Sequence, residues 1–244
     1  NGKHFAYRFR TNTNDGLLPD TDYEIMLVRA NEASETVTFH TEPEPITLNV
    51  RDFGAFGDGA HDDTSAIQAA ILCCPKNARV LIPKGTYPVT ALFLKSDMIL
   101  ELQENAVLAG IYDRARTPIL PGQIEYDNED GYYNLGSWEG NPIDSFASMI
   151  TGIHVKNVTI CGKGVLDGRA DFENWWSRPK DKIRAWRPRM IFLNHCENIT
   201  VVGVTVQNSP AWNLHPYFSN QIRFLDMEVK GPANSHNTDG CDPE

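Results

Sequence analysis

Ile199, Val201, Val204 and Val206 are apolar at steps of two, three and two, and the same steps recur at Ile222, Phe224, Met227 and Val229, 23 residues later. Alternation of period two, broken once by an extra residue, describes two short strands that meet at a corner. A repeat of this length with one inward face per strand cannot enclose a core alone. Each copy buries its apolar face only against the copies before and after it, which is the signature of a parallel β-solenoid. A sandwich of hairpins is the competing arrangement, and its hairpins rarely hold so regular an offset. An earlier copy reads as Val158, Ile160 and Val165, with Asn157 preceding it as Asn198 precedes Ile199, and with Lys163 in the third apolar place. Ala91 to Gly110, with Leu92, Leu94, Met98, Leu100, Leu102 and Val107, reads as earlier, less regular rungs.

A solenoid turns sequence offsets into distances, because residues one rung apart stack at roughly 4.8 Å. A step of 23 predicts a column in which Arg189 lies below Trp212, Asn213 and His215, and these lie below His236, Asn237 and Asp239. An aromatic ring, a histidine, a guanidinium and a carboxylate on one concave wall suit a sugar, since rings stack on sugar faces and polar groups fix orientation.

The formal net charge of -10 argues against a nucleic-acid partner, which wants a basic footprint. No apolar run approaches a membrane span, so no membrane role is expected, and a start at Asn without a signal peptide reads as a piece of a processed or truncated protein. Between positions 178 and 189 six cations (Arg178, Lys180, Lys182, Arg184, Arg187, Arg189) face Asp181 alone, a local charge of +5 that suits an anionic ligand. The five cysteines have no metal-like spacing beyond the adjacent pair Cys73 and Cys74 and read as buried free thiols; no cofactor or metal is expected.

Phe5, Tyr7 and Phe9, then Tyr23, Ile25 and Leu27, then Thr36, Thr38 and Phe39 mark three strands before the stiff linker Glu42-Pro43-Glu44-Pro45. Ser65 and Gln68 have capping-box spacing, so a short helix starts there and covers the open end of the solenoid. Residues 111 to 148 break the rung pattern as a long insertion that could wall off one end of a groove, and a second excursion from Phe172 to Trp186 carries Trp175 and Trp176. Asn157 and Asn198 fit glycosylation sequons, but asparagine also tolerates the left-handed backbone of a corner, and the corner reading is preferred.

Four stretches together resemble glycoside hydrolase family 28, the polygalacturonases of the β-helical pectinase clan. They are Asp52-Phe53-Gly54-Ala55 to Asp62-Asp63-Thr64, Gly164-Val165-Leu166-Asp167-Gly168 followed by Trp175-Trp176, the run from Asn208 to Pro216, and Asn237-Thr238-Asp239-Gly240. The segment from Leu18 to Tyr23 followed by Val37 to Thr41 resembles the closing strands of a fibronectin type III domain. The resemblance implies an all-β chain: residues 1–42 as the C-terminal part of a fibronectin type III-like β-sandwich, 43–48 as linker, and 49–244 as the N-terminal part of a right-handed parallel β-helix, truncated at its C-terminal end. It implies inverting hydrolysis of α-1,4-galacturonosidic bonds in polygalacturonate or pectin oligosaccharides by a secreted or periplasmic enzyme, exo-acting as in similar bacterial members. Asp239 is then a water-activating base, Asp242 a supporting acid, and Asn237, Trp212, Asn213, His215 and Arg189 bind substrate. The family's proton donor comes from a later Gly-Asp-Asp motif that residues 1–244 do not contain, so these residues alone are expected to be inactive. A β-helix module that binds carbohydrate or adheres without chemistry is the alternative, and a calcium-dependent pectate lyase is disfavoured by the Asn-Thr-Asp motif.

Overall fold

The computed structural model describes residues 17–29, 32–125 and 132–244. The chain divides into two compact units, Asn1–Ile46 and Thr47–Glu244. In the first, strands Asp22–Arg29 and Glu32–His40 pair antiparallel, and Tyr23 stacks on Phe39 with ring centroids 5.8 Å apart. The Leu18 amide donates to the Tyr23 hydroxyl at 2.6 Å. The strand expected at Phe5, Tyr7 and Phe9 lies outside the described residues.

The second unit is a right-handed parallel β-helix built of three sheets. The first runs in the order Asn220–Leu225, Glu197–Val202, Lys156–Gly162, Met98–Leu102, Ala78–Ile82, Thr47–Asn49. The second follows it around the corner as Glu228–Lys230, Thr205–Gln207, Val165–Asp167, Ala106–Gly110, Gly85–Val89. The third is Leu214–Tyr217, Ile191–Asn194, Ile150–Ile153, Leu92–Phe93. Alternate residues of each strand point inward, so Val158, Ile199 and Ile222 stack in one file and Ile160, Val201 and Phe224 in the next. With Leu100, Leu108, Leu166, Val206 and Ile191 they belong to one continuous apolar core.

Two inward assignments differ from the repeat arithmetic. Leu166, not Val165, pairs with Val206, and Leu108, not Val107, pairs with Leu166; Leu166 and Leu108 are fully buried. The cause is corner length: Val201 and Val206 are five residues apart, but their counterparts Ile160 and Leu166 are six apart, and Leu100 and Leu108 eight. A constant offset across corners that lengthen selects the wrong face, because a slip of one residue inverts a strand. At the corner itself the glycines stack closely: a Cβ on Gly203, at φ +79°, would lie 2.6 Å from the Gly162 carbonyl oxygen.

The opposite corner is polar and left-handed. Asp97, Asn157, Asn198 and Gln221 have φ between 54° and 59°, a region asparagine and aspartate tolerate better than other residues with a Cβ. Asn157 Nδ2 donates to Asp97 Oδ1 at 2.7 Å, Asn198 Nδ2 to Asn157 Oδ1 at 2.9 Å, and Arg223 Nη1 to Asn198 Oδ1 at 3.0 Å. The amides are thus committed to a ladder along the corner.

The helix runs Thr64–Cys73 and buries Ile67, Ala70 and Ile71 in the same core as Val50 and Val80. Its start is not a capping box. Asp62 Oδ1 accepts from the Thr64 amide at 3.0 Å, while Gln68 exchanges bonds of 2.9 and 2.7 Å with the main chain of Phe93. Asp63, fully buried, accepts from the Phe56 and Gly57 amides at 2.6 and 3.0 Å and so closes the glycine-rich turn.

The long insertion contains small antiparallel pairs, Ile119–Leu120 with Ser145–Phe146 and Ser137–Trp138 with Asn141–Pro142. It lies on the outer face of the third sheet, where Asn134 Nδ2 donates to the Tyr217 hydroxyl at 3.1 Å and Asn194 Nδ2 to the Asn134 carbonyl at 2.6 Å. Trp175 and Trp176 are buried with Phe146, Ala170 and Ala185, so they pack the second excursion. Among the cysteines, Cys73 and Cys241 are exposed, Cys74 and Cys196 buried, and all five are free thiols.

Candidate active site

The third sheet sets the site. Ile191 pairs with Leu214, a step of 23 residues, which places Arg189 on the coil below Trp212 as the repeat predicts. The next step is longer: Leu214 bridges to Cys241, 27 residues on, and Asp242 N donates to Leu214 O at 2.9 Å. The extra residues form the turn from Gly231 to Ser235, where Ser235 N donates to Pro232 O at 3.0 Å. The predicted top of the column is therefore shifted. Asp242 comes beside His215 and Glu244 beside Tyr217, while the Asn213 amide donates to the Asp239 carbonyl at 2.9 Å.

Leu214 faces the core, so Asn213 and His215 face outward, towards the insertion. The insertion covers them. Trp138 stacks on Trp212 with centroids 4.2 Å apart and planes 20° apart, and the Arg189 guanidinium lies 5.0 Å from the Trp138 ring and 5.3 Å from the Trp212 ring. Arg189 also donates to the carbonyls of Ser137 and Arg187. The four expected substrate binders Arg189, Trp212, Asn213 and His215 are 0–5% exposed. They form the floor beneath the site and do not line an open wall.

Glu244 joins floor and cover. Its carboxylate accepts from the Ser137 hydroxyl at 2.6 Å and the Gly140 amide at 2.9 Å, and it lies 3.1 Å from His215 Nε2. Those donors hold Glu244 below the usual carboxylate range against the opposing effect of burial. Burial and the charge of Arg189 pull the His215 pKa down to about 4, with Glu244 opposing. The imidazole is thus neutral at pH 7, with Nε2–H donating to Glu244. Burial also pulls Arg189 down to about 10, and Arg187, beside Arg114, to about 10.

Above this floor the chain turns outward. His236, Asn237 and Asp239 are exposed and Asp242 is half-buried. Asp242 is pushed up to about 6 by burial, then by the charges of Asp239 and Glu244, with Arg189 opposing. The two carboxylates expected to differ in role thus sit in different surroundings, with the charge of Asp239 acting on Asp242. Asn237 adopts φ 57°, and its Oδ1 accepts from Arg187 Nη2 at 2.7 Å.

The basic run is largely satisfied internally. Arg178 pairs with Asp181 at 2.6 Å, Lys182 with Asp144 at 2.8 Å, and Arg184 donates to the Arg114 carbonyl. Arg187 and Arg189 are buried. Sequence reasoning did not place Ser137, Trp138, Arg187 or Glu244 in the site; the aromatic residues of the insertion were the available signal for Trp138. Among the described residues no cluster of three His, Cys, Asp or Glu is arranged to hold a metal ion, and no helix is long and apolar enough to cross a membrane.

Known proteins of similar sequence and fold identify the family. The exo-poly-alpha-D-galacturonosidase of Dickeya chrysanthemi is 36% identical over 207 residues, covering 81% of this chain and 32% of that protein. A "probable polygalacturonase" of Vitis vinifera is 30% identical over 200 residues, covering 79% of this chain and 38% of its own. Among solved structures, the family 28 exopolygalacturonase of Yersinia enterocolitica superposes with a TM-score of 0.74 at 27% identity, over 93% of this chain and 47% of that one. The chain thus spans less than half the length of these relatives. The family model for glycosyl hydrolases family 28 matches residues 119–244, which contain most of the insertion, the buried floor and the exposed Asp239, and the chain belongs to that family.

Proposed function

We propose that this chain is part of a hydrolase that cleaves α-1,4-galacturonosidic bonds of polygalacturonate or pectin with inversion, acting from a chain end. The observation that carries the reading is the exposed Asp239 standing over a floor of buried cations and rings, in a family 28 chain whose relatives include an exo-acting galacturonosidase. In this reading Asp239 activates the water, Asp242 supports it, and Asn237 with His236 meets the sugar. Arg189, Trp212, Asn213 and His215 act from beneath. An inverting pair stands roughly 6.5 to 9.5 Å apart to admit a water, and we assign the proton donor to none of the carboxylates of residues 1–244. A polypeptide of these residues alone is then expected to be inactive. We further propose a secreted or periplasmic location, where the polymer is met, and a fibronectin type III-like origin for the hairpin carrying Tyr23.

The test is the product profile of the full-length protein on polygalacturonate, by reducing ends and ultraviolet absorbance, with Asp239→Asn alongside. Short saturated products, lost by about 10²- to 10⁴-fold in the variant, support the reading. An ultraviolet-absorbing product would indicate elimination. Saturable oligosaccharide binding without turnover would favour a binding module.

A further inference from the structure

The segment that carries Asp239 is held almost entirely from the coil beneath it. Arg187 Nη1 donates to the Pro210 carbonyl at 2.6 Å and the His236 carbonyl at 2.8 Å, and Nη2 donates to Asn237 Oδ1 at 2.7 Å. Asn213 Nδ2 donates to the Thr238 and Asp239 carbonyls, each at 3.0 Å, and Leu214 N donates to the Gly240 carbonyl at 3.2 Å. The carbonyls of His236, Thr238, Asp239 and Gly240 are thus all received from below, while the Asp239 side chain stays exposed.

Arg187 is 4% exposed, and these three acceptors are all neutral. A buried cation satisfied by neutral oxygens carries a desolvation cost that a hydrophobic residue would avoid. The planar fork is what reaches three acceptors in separate stretches of chain; an ammonium on a flexible stem cannot hold all three in that geometry. Asn237 adds a second constraint, because its left-handed backbone is a conformation that few residues with a Cβ adopt readily.

We infer that Arg187 is a positioning residue, and that with Asn213 it clamps His236–Gly240 so that the Asp239 carboxylate is aimed before substrate arrives. The inference rests on the reading of Asp239 as the water-activating base. The clamp acts on the base through the main chain and Asn237, so it governs the chemical step, and through His236 and Asn237 it also bears on the sugar contact. Neither Arg187 nor the amide of Asn213 meets the sugar.

The experiment uses the full-length protein with Arg187→Met and Arg187→Lys. It reads kcat and KM on oligogalacturonate, amide hydrogen exchange of the peptide spanning 235 to 242, and the melting temperature. Expected in Arg187→Met is faster exchange confined to that peptide, with kcat lowered about 10²-fold and a smaller rise in KM, since His236 and Asn237 lose the same support. Arg187→Lys is expected to recover melting temperature but not protection or kcat. The inference is overturned if exchange at 235 to 242 is unchanged in both variants, or if Arg187→Lys restores kcat together with stability. If Arg187→Met does not fold, Arg187→Lys decides by the same criteria. If the parent hydrolyses nothing, the proposed activity falls while the exchange result still accepts or rejects the clamp.

Discussion

Replacing His215 by Gln removes a titrating group while leaving a donor for Glu244, so the pH dependence of stability isolates the buried imidazole. His215 is fully buried with Nε2 3.1 Å from Glu244 Oε2, and its pKa falls from 6.5 to about 4, through burial first and the charge of Arg189 second. Between those values the unfolded chain binds a proton that the folded protein refuses. Stability from this group is therefore complete above about pH 6.5 and is lost as pH falls towards 4. The interval, at about 1.4 kcal/mol for each pH unit, amounts to about 3 kcal/mol. Urea unfolding followed by tryptophan fluorescence from about pH 4 to about pH 7 gives the parent and variant curves, and their difference cancels the other titrating groups. The parent should lose about 3 kcal/mol relative to His215→Gln on acidification, above a constant offset for altered packing. A flat difference would sink the argument. A difference of opposite sign would mean that His215 is charged and ion-paired with Glu244, since a raised pKa gives stability that is lost as pH rises.

Asp242→Asn should show the reverse slope over nearly the same window. The folded carboxyl holds its proton up to about pH 6 while the unfolded one releases it near 3.8, so the parent loses stability as pH rises between them. After allowance for solvent screening of a half-buried group, the variant should gain about 1–2 kcal/mol relative to the parent by pH 7, and no gain in the same unfolding series would refute the assignment. At the ladder corner, Asn198→Ala should be less stable than Asn198→Gly by about 1 kcal/mol, because both lose the amide bonds but only alanine strains the left-handed backbone. Thermal denaturation of the two variants decides, and equal stability would mean that the corner is held by something other than backbone conformation.

The solenoid was legible in the sequence because period-two burial is a local property. Ile199 and Ile222 pair at the step the repeat predicts. What was not legible is corner length, which depends on how the chain crosses between sheets and leaves little trace in the apolar pattern. The repeat assigns Val165 inward for that reason, and the turn from Gly231 to Ser235 shifts the top of the site column in the same way. The residue types of the site were found, but their depth was not. Arg187 and Arg189 read as the end of a basic patch that suits an anionic ligand, with Arg189 in the predicted column, whereas both are buried. The cover that buries them includes Trp138, which stacks on Trp212 from 74 residues earlier with no periodicity to connect the two.

Among the described residues, the buried side-chain atoms without a hydrogen-bond partner are Arg189 Nε, Asn213 Oδ1, His215 Nδ1 and Asp242 Oδ2. All four belong to the site column, with His215 in the strand Leu214–Tyr217 of the third sheet. Each such group costs about 1–3 kcal/mol relative to a satisfied one. A solenoid tolerates the concentration because each coil is supported by its neighbours, so strain held at one position on one face leaves the register of the next coil intact. The arrangement puts the cost beneath Asp239, where charge and rigidity bear on the carboxylate. The outer ladder of Asp97, Asn157 and Asn198, fully paired along the opposite corner, holds the coils at the spacing this stacking requires.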